Sequence, residues 1–244
     1  MSKVLLVTGA SRGIGAATAK LAASRGYDVA VNYLRDAKAA DAVVAAVKSA
    51  GRRAVAIQGD MAQEADVGRV FETIDKELGR ISHLVYNSGT TGANSRVEAA
   101  DVAMMREVIE LNVLGALMCV KAAIPRMSVK QGGQGGAIVL ISSAAATLGG
   151  PGEYVWYAAS KGATDSMTYG LSKELAADAI RVNALQPGLI ETSIHPPGRL
   201  ERMAPLVPMG RAGSPEEIAE SVLFLLSDAS SYTTGTVLRV AGGR

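Results

Sequence analysis

The stretch Thr8-Gly9-Ala10-Ser11-Arg12-Gly13-Ile14-Gly15 decides the reading of this chain. It follows Val4-Leu5-Leu6-Val7, an apolar run that predicts a buried strand, and precedes Ala16 to Ala22, which predicts a helix. Strand, glycine-rich turn and helix in that order form a phosphate-binding arrangement, because free N–H groups at the helix start face an anion. Gly9 permits a turn where a side chain would clash. Gly13 lets the backbone approach a pyrophosphate, and Gly15 lets the helix pack closely on its strand. The glycines at 9, 13 and 15 spell G-x-x-x-G-x-G rather than the common G-x-G-x-x-G, so the flanking strand and helix carry the argument.

Outward from this turn, apolar strand-like runs alternate with helical patterns. The predicted strands after the first are Val29 to Val31, Ala54 to Ile57, His83 to Asn87, Ala137 to Ile141, Ile180 to Leu185 and Thr236 to Val240. Helical patterns span Ala37 to Ala50, Glu64 to Leu78, Val102 to Met127, Tyr154 to Asp178 and Pro215 to Leu226. Ser214 and Pro215 supply an N-cap and a first-turn proline for the last of these. Repeated βα units with strongly apolar strands predict an α/β fold, a doubly wound parallel sheet covered on both faces. No linker divides the 244 residues, so a single domain over 1–244 is expected.

Composition narrows the function. A net charge of +2 gives no case for nucleic acid or an anionic membrane as partner. The one cysteine, Cys119, excludes an internal disulfide framework and fits a reducing, cytoplasmic setting. Two histidines, His83 and His195, offer no histidine-rich metal site, and no metal is expected. No signal peptide is read at the N-terminus, and Lys121 interrupts the best candidate for a membrane span.

In a doubly wound sheet, ligands bind outside the carboxyl ends of the strands. The polar residues there are Thr8 to Gly15, Asn32 to Arg35, Asp60, Asn87 to Gly89, Ser142-Ser143 and Pro187 to Thr192. Just beyond Ser143, Tyr157 and Lys161 stand four apart and share a helix face. With these residues the chain resembles the short-chain dehydrogenase/reductase family over nearly its whole length. The matching segments are Thr8 to Gly15, Asp60, Asn87-Ser88-Gly89, Asn112, Ser143, Tyr157 to Lys161 and Pro187-Gly188. Within the family it is similar to the 3-oxoacyl-carrier-protein reductase and glucose-dehydrogenase-like group.

The resemblance implies a Rossmann-like fold and hydride transfer between a nicotinamide cofactor and a carbonyl or secondary alcohol. Both 3-oxoacyl thioester reduction and sugar or polyol oxidation stay open. A non-catalytic NADP-binding sensor or scaffold is the rival from another class, and it would typically have lost the Tyr–Lys pair. Tyr157 would be the general acid in reduction and the base in oxidation, with the Lys161 ammonium lowering the phenol's pKa. Ser143 would hold the carbonyl oxygen, in preference to Ser142, and Asn112 would hold a water. The loop from Ser143 to Tyr157 is one residue longer than in many relatives. Cofactor contacts would come from Gly9, Ser11, Arg12, Gly13, Ile14, Gly15, Asp60, Met61, Asn87, Gly89, Tyr157, Lys161, Pro187, Gly188, Ile190 and Thr192. Asn32, read as the residue ending the second strand, is neutral where an NAD binder places an acid, and Arg12 and Arg35 flank it. NADP(H) is therefore the expected cofactor, with NAD(H) the alternative. A homotetramer is expected, because the two long helices carry Met104, Met105, Ile109, Val113, Leu117, Met167, Leu171 and Leu175, more apolar positions than one sheet face covers. Residues 189–211, with several prolines, methionines and arginines, read as a mobile lid, in which His195 is a surface histidine.

Overall fold

The computed structural model describes residues 3–244. Seven parallel strands form one sheet in the order β3-β2-β1-β4-β5-β6-β7. They are β1 (Lys3–Val7), β2 (Tyr27–Tyr33), β3 (Ala54–Gln58), β4 (His83–Tyr86), β5 (Gly136–Ile141), β6 (Ile180–Pro187) and β7 (Val237–Val240). Two-sided burial explains their composition. In β1, Leu5 and Val7 join one core while Val4 and Leu6 join the other.

The first core is closed by α1 (Gly13–Ser24), α2 (Ala37–Ser49) and α9 (Pro215–Leu226). Ser214 and Glu217 cap α9 reciprocally. The second core is closed by α3 (Glu64–Glu77), α5 (Gly115–Met127) and α7 (Val155–Glu174). Three short helices complete the order: α4 (Val102–Ile109), α6 (Ala145–Leu148) and α8 (Arg199–Met203).

The helix expected over Val102 to Met127 is continuous but contains a π-turn at Glu110–Leu114, between α4 and α5. By length and composition this run is apolar enough to cross a membrane, which the sequence reading did not expect. Its Ala116, Cys119, Val120, Ala123 and Met127 lie in the second core, and Lys121 and Arg126 pair with Glu64 and Asp75.

The strand order reverses between β1 and β4, and the crevice at that seam is where such folds bind ligands. Thr8 stitches the seam shut, its hydroxyl accepting from the backbone N–H groups of Asn87 and Ser88 at 2.9 and 3.0 Å.

Candidate active site

The glycine turn is built to be approached closely. Gly13 has φ +54, and a Cβ there would lie 3.2 Å from the Thr192 methyl. A Cβ at Gly15 would lie 2.6 Å from both Asn87 Nδ2 and the Gly9 carbonyl oxygen. Asn87 donates its side-chain amide to the carbonyls of Thr8 and Gly9, at 3.0 Å each, so it braces the turn. Ser11 and Arg12 stay accessible at its rim, and Ile14 packs on the first core. The Gly13–Thr192 approach sets the loop after β6 over the turn. The residues present fit a dinucleotide.

Three expected ligand positions differ in the structure. Asn32 is not the end of β2, which runs on to Tyr33. Asn32 is 1% exposed; its amide donates to the carbonyls of Ile57 and Gly59 and its oxygen accepts from Gly9 N–H. It supports the turn from below, and Tyr33 and Arg35 occupy the accessible rim instead. Met61 turns its side chain into the core beside Cys119, leaving only its backbone for a ligand. Ile190 is likewise buried, bridged through its backbone to Gly213. Asp60 caps its own turn by accepting from Ala62 N–H at 2.9 Å. Pro187 ends β6, and Gly188 N–H donates to the Val240 carbonyl, which fixes the start of the loop.

The chemical group forms where β5 meets α7. Ser142 and Ser143 follow β5 and face different ways. The Ser142 hydroxyl is buried and donates to the Lys161 carbonyl at 3.1 Å, bracing the helix. The Ser143 side chain instead bonds the Tyr157 hydroxyl. Lys161 is 4% exposed; its Nζ donates to the Ile141 carbonyl at 2.7 Å and lies 5.7 Å from the Tyr157 ring centroid. Asn112 sits at the π-turn, 1% exposed, with its side chain exchanging hydrogen bonds with the Thr90 backbone and donating to Ser160 Oγ. Both amide hydrogens are used, and Oδ1 keeps one acceptor site for a further donor. A Cβ at Gly89 would lie 3.2 Å from Asn112 Oδ1 and 3.5 Å from Lys161 Nζ, so these three share one corner.

Burial dominates the electrostatics. It pushes the Tyr157 phenol up to about 12, against the Ser143 hydrogen bond, which favours ionisation. It pulls the Lys161 ammonium down to about 8, against the attraction of Asp165. The expected lowering of the phenol by its lysine does not show in the protein without cofactor, where burial and the neighbouring Tyr154 both act to raise it. Burial thus favours the protonated phenol, the form from which a proton can be donated. Ring contacts extend the group, since Tyr154 meets Tyr157 edge to face at a 5.4 Å centroid distance. Tyr33, Thr90, Glu153, Tyr154 and Arg199 lie in or around the site without having been singled out as site residues in the sequence. Only Tyr33 had a local signal, the continued strand alternation.

The family model described as Enoyl-(Acyl carrier protein) reductase matches residues 9–244. The uncharacterized oxidoreductase YgfF of Escherichia coli (strain K12) is 46% identical, over 99% of each chain. The 3-oxoacyl-[acyl-carrier-protein] reductase of Synechocystis sp. is 38% identical, over 99% of this chain and 96% of its own. Among solved structures, a short-chain dehydrogenase of Burkholderia cenocepacia J2315 in complex with NADP superposes with a TM-score of 0.91 at 33% identity, covering 99% of this chain and 97% of that one. A short-chain type dehydrogenase/reductase from Mycobacterium marinum gives 0.92 at 33%, covering 99% and 94%. Sheet, site and relatives together define an oxidoreductase on a doubly wound α/β scaffold. The chain belongs to the short-chain dehydrogenase/reductase family.

Proposed function

We propose that this protein is an NADPH-dependent reductase of carbonyl compounds, with a 3-oxoacyl thioester as the leading substrate class. The observation that carries the reading is the grouping of Ser143, Tyr157 and Lys161 at the carboxyl edge of the sheet. A bound nicotinamide supplies the hydride. Ser143 donates to the carbonyl oxygen and orients it. Tyr157 then delivers its proton to that oxygen as negative charge develops there, and Lys161 stabilises the phenolate left behind. The thioester class is supported by the Synechocystis relative's name. The test is a panel of acetoacetyl-coenzyme A, ethyl acetoacetate and cyclohexanone with NADPH, and glucose and sorbitol with NADP+, followed by nicotinamide absorbance. Turnover of the polyols alone would favour the dehydrogenase reading over ours.

The charge states give a pH dependence. Tyr157 stays protonated up to about 12, whereas Lys161 loses its charge through about 8. Reductive kcat/KM is expected to be level below pH 8 and to fall above it. A rate that rises through that range would show the phenolate to be the working form.

Cofactor choice is supported by the rim. Arg12 and Arg35 are exposed and, among the described residues, neither has an ion-pair partner. Two free guanidiniums suit a 2′-phosphate. The nearest acid, Asp36, caps α2 by accepting from Ala39 N–H. Asn32→Asp is no clean test, because it breaks the brace under the glycine turn. Tyr33→Asp sets a carboxylate at the rim, and its NADPH preference over NADH is expected to shrink by about tenfold, on the order of 1.4 kcal/mol. An unchanged preference would move the phosphate site elsewhere.

The tetramer is supported by apolar side chains left on the surface. Val102, Ile109, Leu114 and Leu117 on the α4–α5 run and Val155 and Tyr169 on α7 are exposed, whereas Met167, Leu171 and Leu175 pack inward. Light scattering is expected to give four times the chain mass.

A further inference from the structure

Residues 191–206 of the lid are exposed or half-exposed with one exception, and the exception is a guanidinium. Arg199 is 6% exposed. It opens α8 and reaches across to the turn that precedes α7. Nη1 and Nη2 each donate to one oxygen of Glu153, both at 2.7 Å, and Nη2 also donates to the Tyr154 hydroxyl at 2.8 Å. The guanidinium lies 5.5 Å from the centroid of the Tyr154 ring. Among the described residues, the hydrogen bonds that join residues 193–206 to any element outside the lid are all made by this one side chain.

The far side of the contact leads to the chemistry. Tyr154 is the N-cap residue of α7, and its ring meets Tyr157 edge to face. Glu153 is itself tied down, since its carbonyl accepts from Ser95 N–H at 2.9 Å. One residue past Val155, Trp156 donates its indole N–H to the Thr91 carbonyl at 2.8 Å. The loop after β4, the turn before α7 and the lid thus meet at one point beside the phenol. The base of the lid is pinned separately by the Ile190–Gly213 bridge and by Val207 packed with Leu189 and Ala212. Leu200, Met203 and Ala204 pack on that same cluster within the lid, so the bidentate pair is the polar contact that ties the strap to the catalytic turn. A planar fork fits a carboxylate in one orientation, so the held position is well defined.

We propose that Glu153 and Arg199 form a latch that holds the lid against the catalytic turn, and that through Tyr154 this latch sets the position of Tyr157. Both are positioning residues, acting through Tyr154. The proposal rests on the reductase reading only for its consequence in turnover; the latch itself is testable on the protein alone.

Hydrogen–deuterium exchange is measured on the ligand-free full chain for wild type, Arg199→Gln, Glu153→Gln, the double variant and Tyr154→Phe. Each single latch variant is expected to raise exchange in residues 192–206 at least tenfold, with little change in the amides of β1 and β5. The double variant, which leaves no charge unpaired, is expected to be no worse than either single. Tyr154→Phe keeps the ion pair, so the lid should remain protected. Trp156, the chain's one tryptophan, reports the catalytic turn independently. Acrylamide quenching of its fluorescence is expected to rise about twofold in the latch variants and to stay near wild type in Tyr154→Phe. Unchanged exchange in 192–206 in both single variants overturns the latch whatever any assay gives. Raised lid exchange with unchanged Trp156 quenching overturns the link to the catalytic turn. With NADPH and acetoacetyl-coenzyme A, released latch variants are expected to lose kcat about tenfold while substrate KM rises. Absence of turnover in wild type with every compound of the panel would instead count against the reductase reading and leave the exchange result standing.

Discussion

Tyr157→Phe is expected to cut turnover by about 10²–10⁴-fold, the usual worth of a general acid, which is on the order of 3–5 kcal/mol of barrier. The ring stays, so its edge-to-face contact with Tyr154 and the fold around it are kept. What goes is the hydroxyl that Ser143 bonds, and with it the proton for the carbonyl oxygen. Cofactor binding should change little. Steady-state kinetics on a carbonyl that wild type reduces, with a cofactor titration beside it, checks both halves. Near-wild-type turnover would remove Tyr157 from the reaction.

Lys161→Met is expected to lower turnover by about 10²-fold or more and to weaken cofactor binding as well. Methionine replaces most of the buried stem, so little cavity is left. The Ile141 carbonyl loses its 2.7 Å partner, at about 1–3 kcal/mol, and the melting temperature should drop by a few degrees. The larger loss is chemical, because no positive charge remains to stabilise the phenolate. Both kcat and the cofactor dissociation constant are measured. A variant that binds cofactor like wild type but turns over slowly would keep the electrostatic role and remove Lys161 from the cofactor contacts.

Much of this architecture was legible in the sequence, for local reasons. Apolar runs bounded by glycines mark strands whatever their partners, and the seven strands lie where those runs lie. The glycine turn and the Tyr157–Lys161 spacing are likewise local patterns. Ser143 and Ser142 separate because successive residues leaving a strand face opposite ways, and the structure sends the first to Lys161 and the second to Tyr157. The same parity explains the Asn32 error. A polar residue after Val29-Ala30-Val31 looks like a strand end, but β2 continues to Tyr33 because Asn32 and Tyr33 pair with Ile57 and Gln58 of β3. That partner is invisible from β2 alone. The π-turn at Asn112 is no more visible, and neither are the partners its amide finds in Thr90 and Ser160, 22 and 48 positions away. Arg199 was legible as a lid residue and not as a buried one. Its partner lies 46 positions away, and exposed and buried arginines have the same sequence.

The seam between β1 and β4 has a consequence for how the protein acquires its site. β1 pairs with β2 across one short helix, but with β4 it must bring Leu5 beside His83. Loop closure of that length is slow relative to local pairing. Strands β1 to β3 alone carry the glycine turn and no Tyr157, because α7 lies beyond β5 in the chain. A ligand that touches both sides of the seam therefore recognises the completed sheet. By mass action it raises the unfolding free energy by about 2.7 kcal/mol at a hundredfold excess over its dissociation constant. Thermal melting then becomes a ligand screen that needs no turnover, able to rank dinucleotides before any substrate is known.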